Sequence, residues 1–238
     1  VEGYDLAAWV KRSGPIPWRQ ALTWIRQAAD ALEYAHQQGI IHRDIKPSNL
    51  MIDPQGIVKV LDLGLAKIIG DTIDDDASSQ ALTKSTQIVG TPAFLAPEQA
   101  RSPKTIDTRS DIYALGCTLF YLLTSKAPYS GETPMDMILA HMTEPTPNLN
   151  SLNSDIPNVV ADLVQRMMAK QPAHRLQSML EVISCMDSIL TSSTGVIHPR
   201  LSTLETTGMS LPTDGKSLHF ESKGRNFSSR FYVMAILA

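Results

Sequence analysis

The run from His42 to Gly64 leaves this chain little freedom in what it can fold into. It opens with His42-Arg43-Asp44-Ile45-Lys46-Pro47-Ser48-Asn49 and closes with Asp62-Leu63-Gly64. Between them lie two short apolar stretches around Pro54 and Gly56. Such a pattern spells a β-hairpin, and a hairpin over residues 50–61 returns Asp62 to the side of Asn49. The polar residues gathered in this way suit phosphoryl transfer, which needs an acceptor hydroxyl held in line, its proton accepted and the phosphate charge neutralised. Asp44 is the candidate base. Asn49 and Asp62 are hard oxygen ligands for Mg2+, and Lys46 is a compact cation for the moving phosphate. Taken singly, an Asp before a Lys is an ordinary loop charge and Asp-Leu-Gly an ordinary turn. Their conjunction across one hairpin carries the reading.

With those residues in place, residues 1–190 resemble the C-terminal lobe of a eukaryotic-like, bacterial-type protein serine/threonine kinase. Ala96-Pro97-Glu98 matches that family's A-P-E segment, and Ser110 to Gly116 is similar to the start of its central buried helix. The resemblance implies a mainly α, protein-kinase-like C-lobe with a short catalytic-loop β-hairpin. It also implies ATP and Mg2+ as cofactors and a protein substrate with a Ser or Thr acceptor, the latter from Lys46 and from Thr91 near the base. Structural roles come with it: Asp111 anchors the catalytic loop, Arg175 pairs with Glu98, and His42 packs rather than titrates in catalysis. Val1-Glu2-Gly3 resembles the hinge that meets adenine, with Met51 as the floor under its ring. Leu63 stands where the family has Phe, and an apolar residue packs there as well. The Gly-rich loop, strand Lys and helical Glu of the small lobe are not in the sequence. The expectation is therefore the catalytic half of a kinase, holding ATP poorly without an N-terminal lobe in cis. The alternative is a kinase-shaped binding module without catalysis, which has no physical need for Asp44, Lys46, Asn49 and Asp62 together. A small-molecule phosphotransferase is a third class, and the A-P-E and Thr91 region counts against it.

Regulation is also suggested. The polar run between Asp62 and Glu98 carries four Asp and several hydroxyls. A phosphate at Thr83 or Ser85 would bring about −1.5 to −2 charge for Arg43 to bind, ordering the loop. The other reading is a solvated acidic loop.

Elsewhere the helical period dominates. Helices are expected over Pro17–Gln38, Ile112–Leu123, Asn158–Ala169 and Met179–Leu190. The second is apolar all round but far shorter than the roughly 20 residues a bilayer needs, so it should be a buried core helix. Met137, Met142, Met167 and Met168 should fill the core. Cys117 and Cys185 should be small core residues of a reducing compartment, and the histidines lack metal-ligand spacing. A net charge of −3 without a basic patch argues against nucleic acid. Residues 191–223 are rich in Ser, Thr, Gly and Pro and read as a linker. In residues 224–238, Arg225 and Arg230 precede Phe231-Tyr232-Val233-Met234-Ala235-Ile236-Leu237-Ala238, the look of a membrane anchor beginning at a cytoplasmic face. An apolar end packing on the lobe is the alternative. The expected location is cytoplasmic, anchored to the inner face of the plasma membrane.

Overall fold

The computed structural model describes residues 3–62, 67–68, 92–101 and 106–192. Eight helices are found among them: α1 Leu6–Ser13, α2 Trp18–Gln37, α3 Pro97–Arg101, α4 Thr108–Thr124, α5 Pro134–Thr143, α6 Leu149–Leu152, α7 Asn158–Met167 and α8 Met179–Ser192. Five short strands join them: β1 Tyr4–Asp5, β2 Ile40–Ile41, β3 Leu50–Ile52, β4 Val58–Val60 and β5 Lys67–Ile68. The expected mainly α fold with one hairpin is what forms.

Each long helix has a local cause. In α2 the buried Leu22, Ile25, Ala29 and Leu32 recur at three or four residues and face the core. Gly39, at φ 74°, releases the chain where a side chain would be strained. The α4 helix is buried on nearly every side, from Ser110 to Leu123, so it has no solvent stripe. Asp107 caps its start by accepting the Arg109 N–H, and Ser125 ends it in the left-handed region at φ 58°. Thr133 and Asp136 form a capping box at the start of α5. Helices α2, α7 and α8 pack around α4, and α2 lies along α8. Arg26 on α2 ties that seam through Asp187, with Asp30 as its second partner.

The sheet work sits at one end of this bundle. Strands pair antiparallel in the order β1-β3-β4, with Tyr4 opposite Ile52 and Leu50 opposite Val60. Asp53 makes the turn by accepting the Gln55 and Ile57 N–H groups through its carboxylate. Those backbone bonds and Lys59 hold the Asp53 carboxyl below the usual range, outweighing the opposing effect of burial. β4 is one of the two outer strands, β1 being the other. The free edge of β4 meets Gln27 of α2, which accepts the Val58 N–H at 2.9 Å and donates to the Gly56 carbonyl at 3.3 Å. A second pairing joins β2 to β5, Ile40 opposite Ile68.

Several expectations need correction. Pro17 is the cap before α2 rather than part of its first turn, since its missing N–H suits that place. Helix α4 starts at Thr108, earlier than its apolar run, because the cap is Asp107. Thr191 belongs to α8 and not to a linker. Met167 and Met168 are fully buried, but Met137 and Met142 are only half-buried on the flank of α5. Cys117 is in the core, where burial pushes its thiol pKa up, whereas Cys185 is half-buried beside Arg166.

Candidate active site

The catalytic-loop residues hang between the bundle and the sheet. Asp111, fully buried on α4, collects the loop from below: its Oδ2 accepts the His42 N–H at 2.9 Å and its Oδ1 the Arg43 N–H at 2.8 Å. His36 of α2 reaches the same Oδ2 at 2.8 Å. From the sheet side, His42 Nε2 lies 2.8 Å from the Leu61 carbonyl, part of the peptide that leads into Asp62. His42 is thus a buried strut.

Asp44 follows. Lys46 Nζ donates to its Oδ2 at 2.7 Å, and Asn49 Nδ2 donates to its backbone carbonyl at 2.8 Å and to Oδ2 at 3.2 Å. Pro47–Asn49 form one 3-10 turn, and this turn folds Asn49 back onto Asp44. With the Asn49 amide nitrogen spent on Asp44, its oxygen is the side-chain atom left with ligand chemistry. The Leu61 N–H donates to the Asn49 carbonyl at 2.9 Å, extending the hairpin ladder by one rung, with Leu61 opposite Asn49 and Asp62 the next residue along. Asp62 is solvent-exposed. A carboxylate and an amide oxygen are the donor types Mg2+ takes alongside water and phosphate, so the residues present fit that ion. No group of three or more His, Cys, Asp or Glu that would form an all-protein metal cage occurs among the described residues.

Backbone strain gathers here. Arg43 has φ 69° and Asp62 φ 60°, two of the three non-glycine positive values among the described residues. A left-handed residue costs about 1–2 kcal/mol, so the surrounding bonds must hold both in place. The Arg43 side chain has a buried Nε with no hydrogen-bond partner among the described residues.

The peptide-side frame lies beyond the loop. Arg175 makes a two-pronged pair with Glu98, Nη1 to Oε1 at 2.6 Å and Nη2 to Oε2 at 2.7 Å, and Ser110 Oγ adds a bond to Oε1 at 2.7 Å. The rest of the guanidinium is satisfied by the Ala169, Lys170 and Arg109 carbonyls. Burial alone would push the Glu98 carboxyl up, but Arg175 and Ser110 outweigh it and hold it below its usual range. Met51 sits half-buried on β3 opposite Asp5 and Lys59. Val1, Thr83, Ser85 and Thr91 lie outside the described residues.

The structure therefore joins Lys46 and Asn49 to Asp44, sets Asp62 one residue beyond the rung between Asn49 and Leu61, and has His42, Asp111, Glu98 and Arg175 as the frame. Sequence reasoning missed His36 and Gln99. His36 had a signal, being the polar member of an apolar helical stripe. Gln99 had none.

A loop of this kind, slung between a central buried helix and a small sheet, is the architecture of a kinase-type helical lobe. The chain belongs to the protein kinase domain family, whose profile matches residues 1–186. It is 37% identical to the serine/threonine-protein kinase PknB of Mycolicibacterium smegmatis over 182 residues, covering 76% of this chain and 28% of that protein. A probable serine/threonine-protein kinase of Clostridium perfringens is 36% identical over 189 residues, covering 79% of this chain and 26% of that protein. One of Corynebacterium efficiens is 39% identical over 191 residues, covering 79% and 28%. The chain thus spans little more than a quarter of the length of these relatives.

Proposed function

We propose that this chain is the catalytic half of a protein serine/threonine kinase that moves the γ-phosphoryl group of ATP to Ser or Thr hydroxyls of proteins. The observation that carries it is the Asp44 carboxylate, braced by Lys46 and Asn49 on a loop that Asp111 clamps by its backbone. Asp44 accepts the acceptor hydroxyl's proton as its oxygen bonds to the γ-phosphorus. The bond from that phosphorus to the bridging oxygen breaks, and ADP leaves with the electron pair. Lys46 steadies the charge on the moving group, and Thr91 helps orient the acceptor. Asn49 and Asp62 would hold Mg2+, which would neutralise phosphate charge when bound. Val1 and Met51 would contribute to binding the adenine, and an N-terminal lobe in cis would supply the remaining phosphate contacts. Arg43, whose buried Nε lacks a partner among the described residues, would pair with a phosphate carried on Thr83 or Ser85.

The test is ATP-dependent phosphorylation of a Ser/Thr protein by the full-length gene product, wild type against Asp44→Asn. Loss of a positioned base lowers the rate by about 10² to 10⁴. An unchanged rate removes Asp44 from this role. Alanine at both Thr83 and Ser85 with full activity would discard the loop switch.

Residues 193–223 are read as a linker beyond α8 and residues 224–238 as the start of a membrane anchor that keeps the kinase domain at the cytoplasmic face. No helix among the described residues is long and apolar enough to cross a membrane. Recovery of the full-length protein in the detergent-free soluble fraction would end the anchor proposal.

A further inference from the structure

Gln99 follows the A-P-E triplet on α3, and its side-chain amide works in two directions. Nε2 donates to the Arg43 carbonyl at 2.8 Å, while Oε1 accepts the Ala96 N–H at 2.9 Å. The Arg43 carbonyl and the Asp44 N–H belong to one planar peptide unit. That N–H points to His42 Nδ1 at 3.3 Å. On the peptide before it, the Arg43 N–H is held by Asp111. Arg43 itself sits at φ 69°, which a residue with a side chain adopts only under constraint. The peptide entering Asp44 is therefore gripped on its carbonyl edge by a residue of a different segment, 56 positions away in sequence.

We propose that Gln99 is a positioning residue for the base: it fixes the plane of the Arg43–Asp44 peptide, and does so only while Ala96-Pro97-Glu98 is seated on the Arg175 anchor. The A-P-E segment and the base thereby share one hydrogen-bonded relay: Arg175 to Glu98, Ala96 to Gln99, Gln99 to Arg43. The role rests on the reading of Asp44 as the base. A primary amide is required, because one end must donate and the other accept. A glutamate would still accept from Ala96 but would turn an acceptor toward the Arg43 carbonyl. A leucine would do neither.

The test uses Q99E and Q99L in the full-length protein with casein as acceptor, together with hydrogen exchange of the loop amides. Both variants should lower kcat about 10- to 100-fold while KM for ATP stays within about twofold, since a misplaced base spares nucleotide binding. The loop amides from His42 to Lys46 should exchange faster in each. Q99E, nearly the same shape and keeping the Ala96 bond, isolates the Arg43 contact should Q99L fail to fold. Wild-type kcat in Q99E, a rise in KM for ATP matching the loss, or unchanged exchange overturns the proposal. An inactive wild type instead defeats the kinase reading of Asp44, and the exchange measurement then decides alone whether Gln99 holds the loop.

Discussion

Asp111 and Tyr113 stand two residues apart on α4, yet the polar clusters around them are built on opposite principles. Asp111 is fully buried, and its carboxylate is shared among two backbone N–H groups and His36. Tyr113 is equally buried, but its hydroxyl lies 2.9 Å from His141 Nδ1, whose ring also meets Tyr129 edge-on. Burial, and then the charge of Lys170, lowers His141 to about 4, so it is neutral at ordinary pH. Lys170 bonds the Tyr129 hydroxyl and the His141 carbonyl, both at 2.7 Å, and burial brings its own pKa down to about 8. The difference is one of purpose. At Asp111 a buried anion collects several backbone donors from a strained loop, whereas around Tyr113 a neutral imidazole and two hydroxyls are fastened by the Lys170 cation, which ties α5 to the core.

The sharpest way to break this contrast is Asp111→Asn. An amide there turns a donor toward the loop N–H groups, and removing one partner from a buried charged set costs about 3–5 kcal/mol. Urea unfolding measures it, and a loss below about 1 kcal/mol, the worth of an ordinary hydrogen bond, would make Asp111 no more than a neutral contact. Next comes acid. Between pH 6.5 and about 4 the unfolded chain takes up a proton at His141 that the folded chain refuses, so this residue's contribution is complete above pH 6.5 and is lost as pH falls toward 4. At about 1.4 kcal/mol for each pH unit the loss is roughly 3 kcal/mol. His141→Phe should remove that slope from a pH series of denaturation curves, while Asp111→Asn should retain it.

Gly116→Ala separates the clusters by packing. A Cβ there would stand 2.8 Å from Met167 Cβ and 3.0 Å from Met168 Cγ, pressing on the end of α7 just before Lys170. Overpacking of this sort costs about 1–3 kcal/mol. Hydrogen exchange should show the α5 side loosened and the His42 and Arg43 amides still protected; equal loosening of both would mean that α4 transmits strain along its length. The mildest change is Asp107→Ala, which strips the cap from the helix that both clusters share and should cost about 1 kcal/mol in thermal unfolding, with neither cluster affected more than the other.

Local signals explain what could be read from the chain. The hairpin follows from Pro54, Gly56 and their apolar flanks, α4 from its unbroken apolar run, and the Glu98–Arg175 pair from the resemblance at both positions. Asp44, Lys46 and Asn49 fall within one turn of chain, so their meeting needs little beyond the Pro47–Asn49 turn. What stayed hidden depends on contacts between distant segments. Gln99 matters only because α3 lands beside Arg43. His141 looked like a lone histidine on a helix until Tyr113, Tyr129 and Lys170 converged on it from three other places in the chain. Met137 and Met142 share the apolar character of the core methionines, and composition alone cannot tell the flank of α5 from its inner face. The strand β1 is two residues long and has no pattern of its own; it is strand only because Ile52 and Met51 lie opposite.

One side chain of α2 that lies against the hairpin has a bearing on how this lobe behaves in a crowded solution. An outer strand with bare amides and carbonyls is a template on which a neighbouring molecule can add a strand. On β4 that invitation is withdrawn, because the Gln27 carboxamide imitates a further peptide unit, meeting Val58 and Gly56 as a neighbouring strand would. At this edge the small sheet is thus capped by its own helix, and a strand adding there would first have to displace the Gln27 carboxamide from Val58 and Gly56.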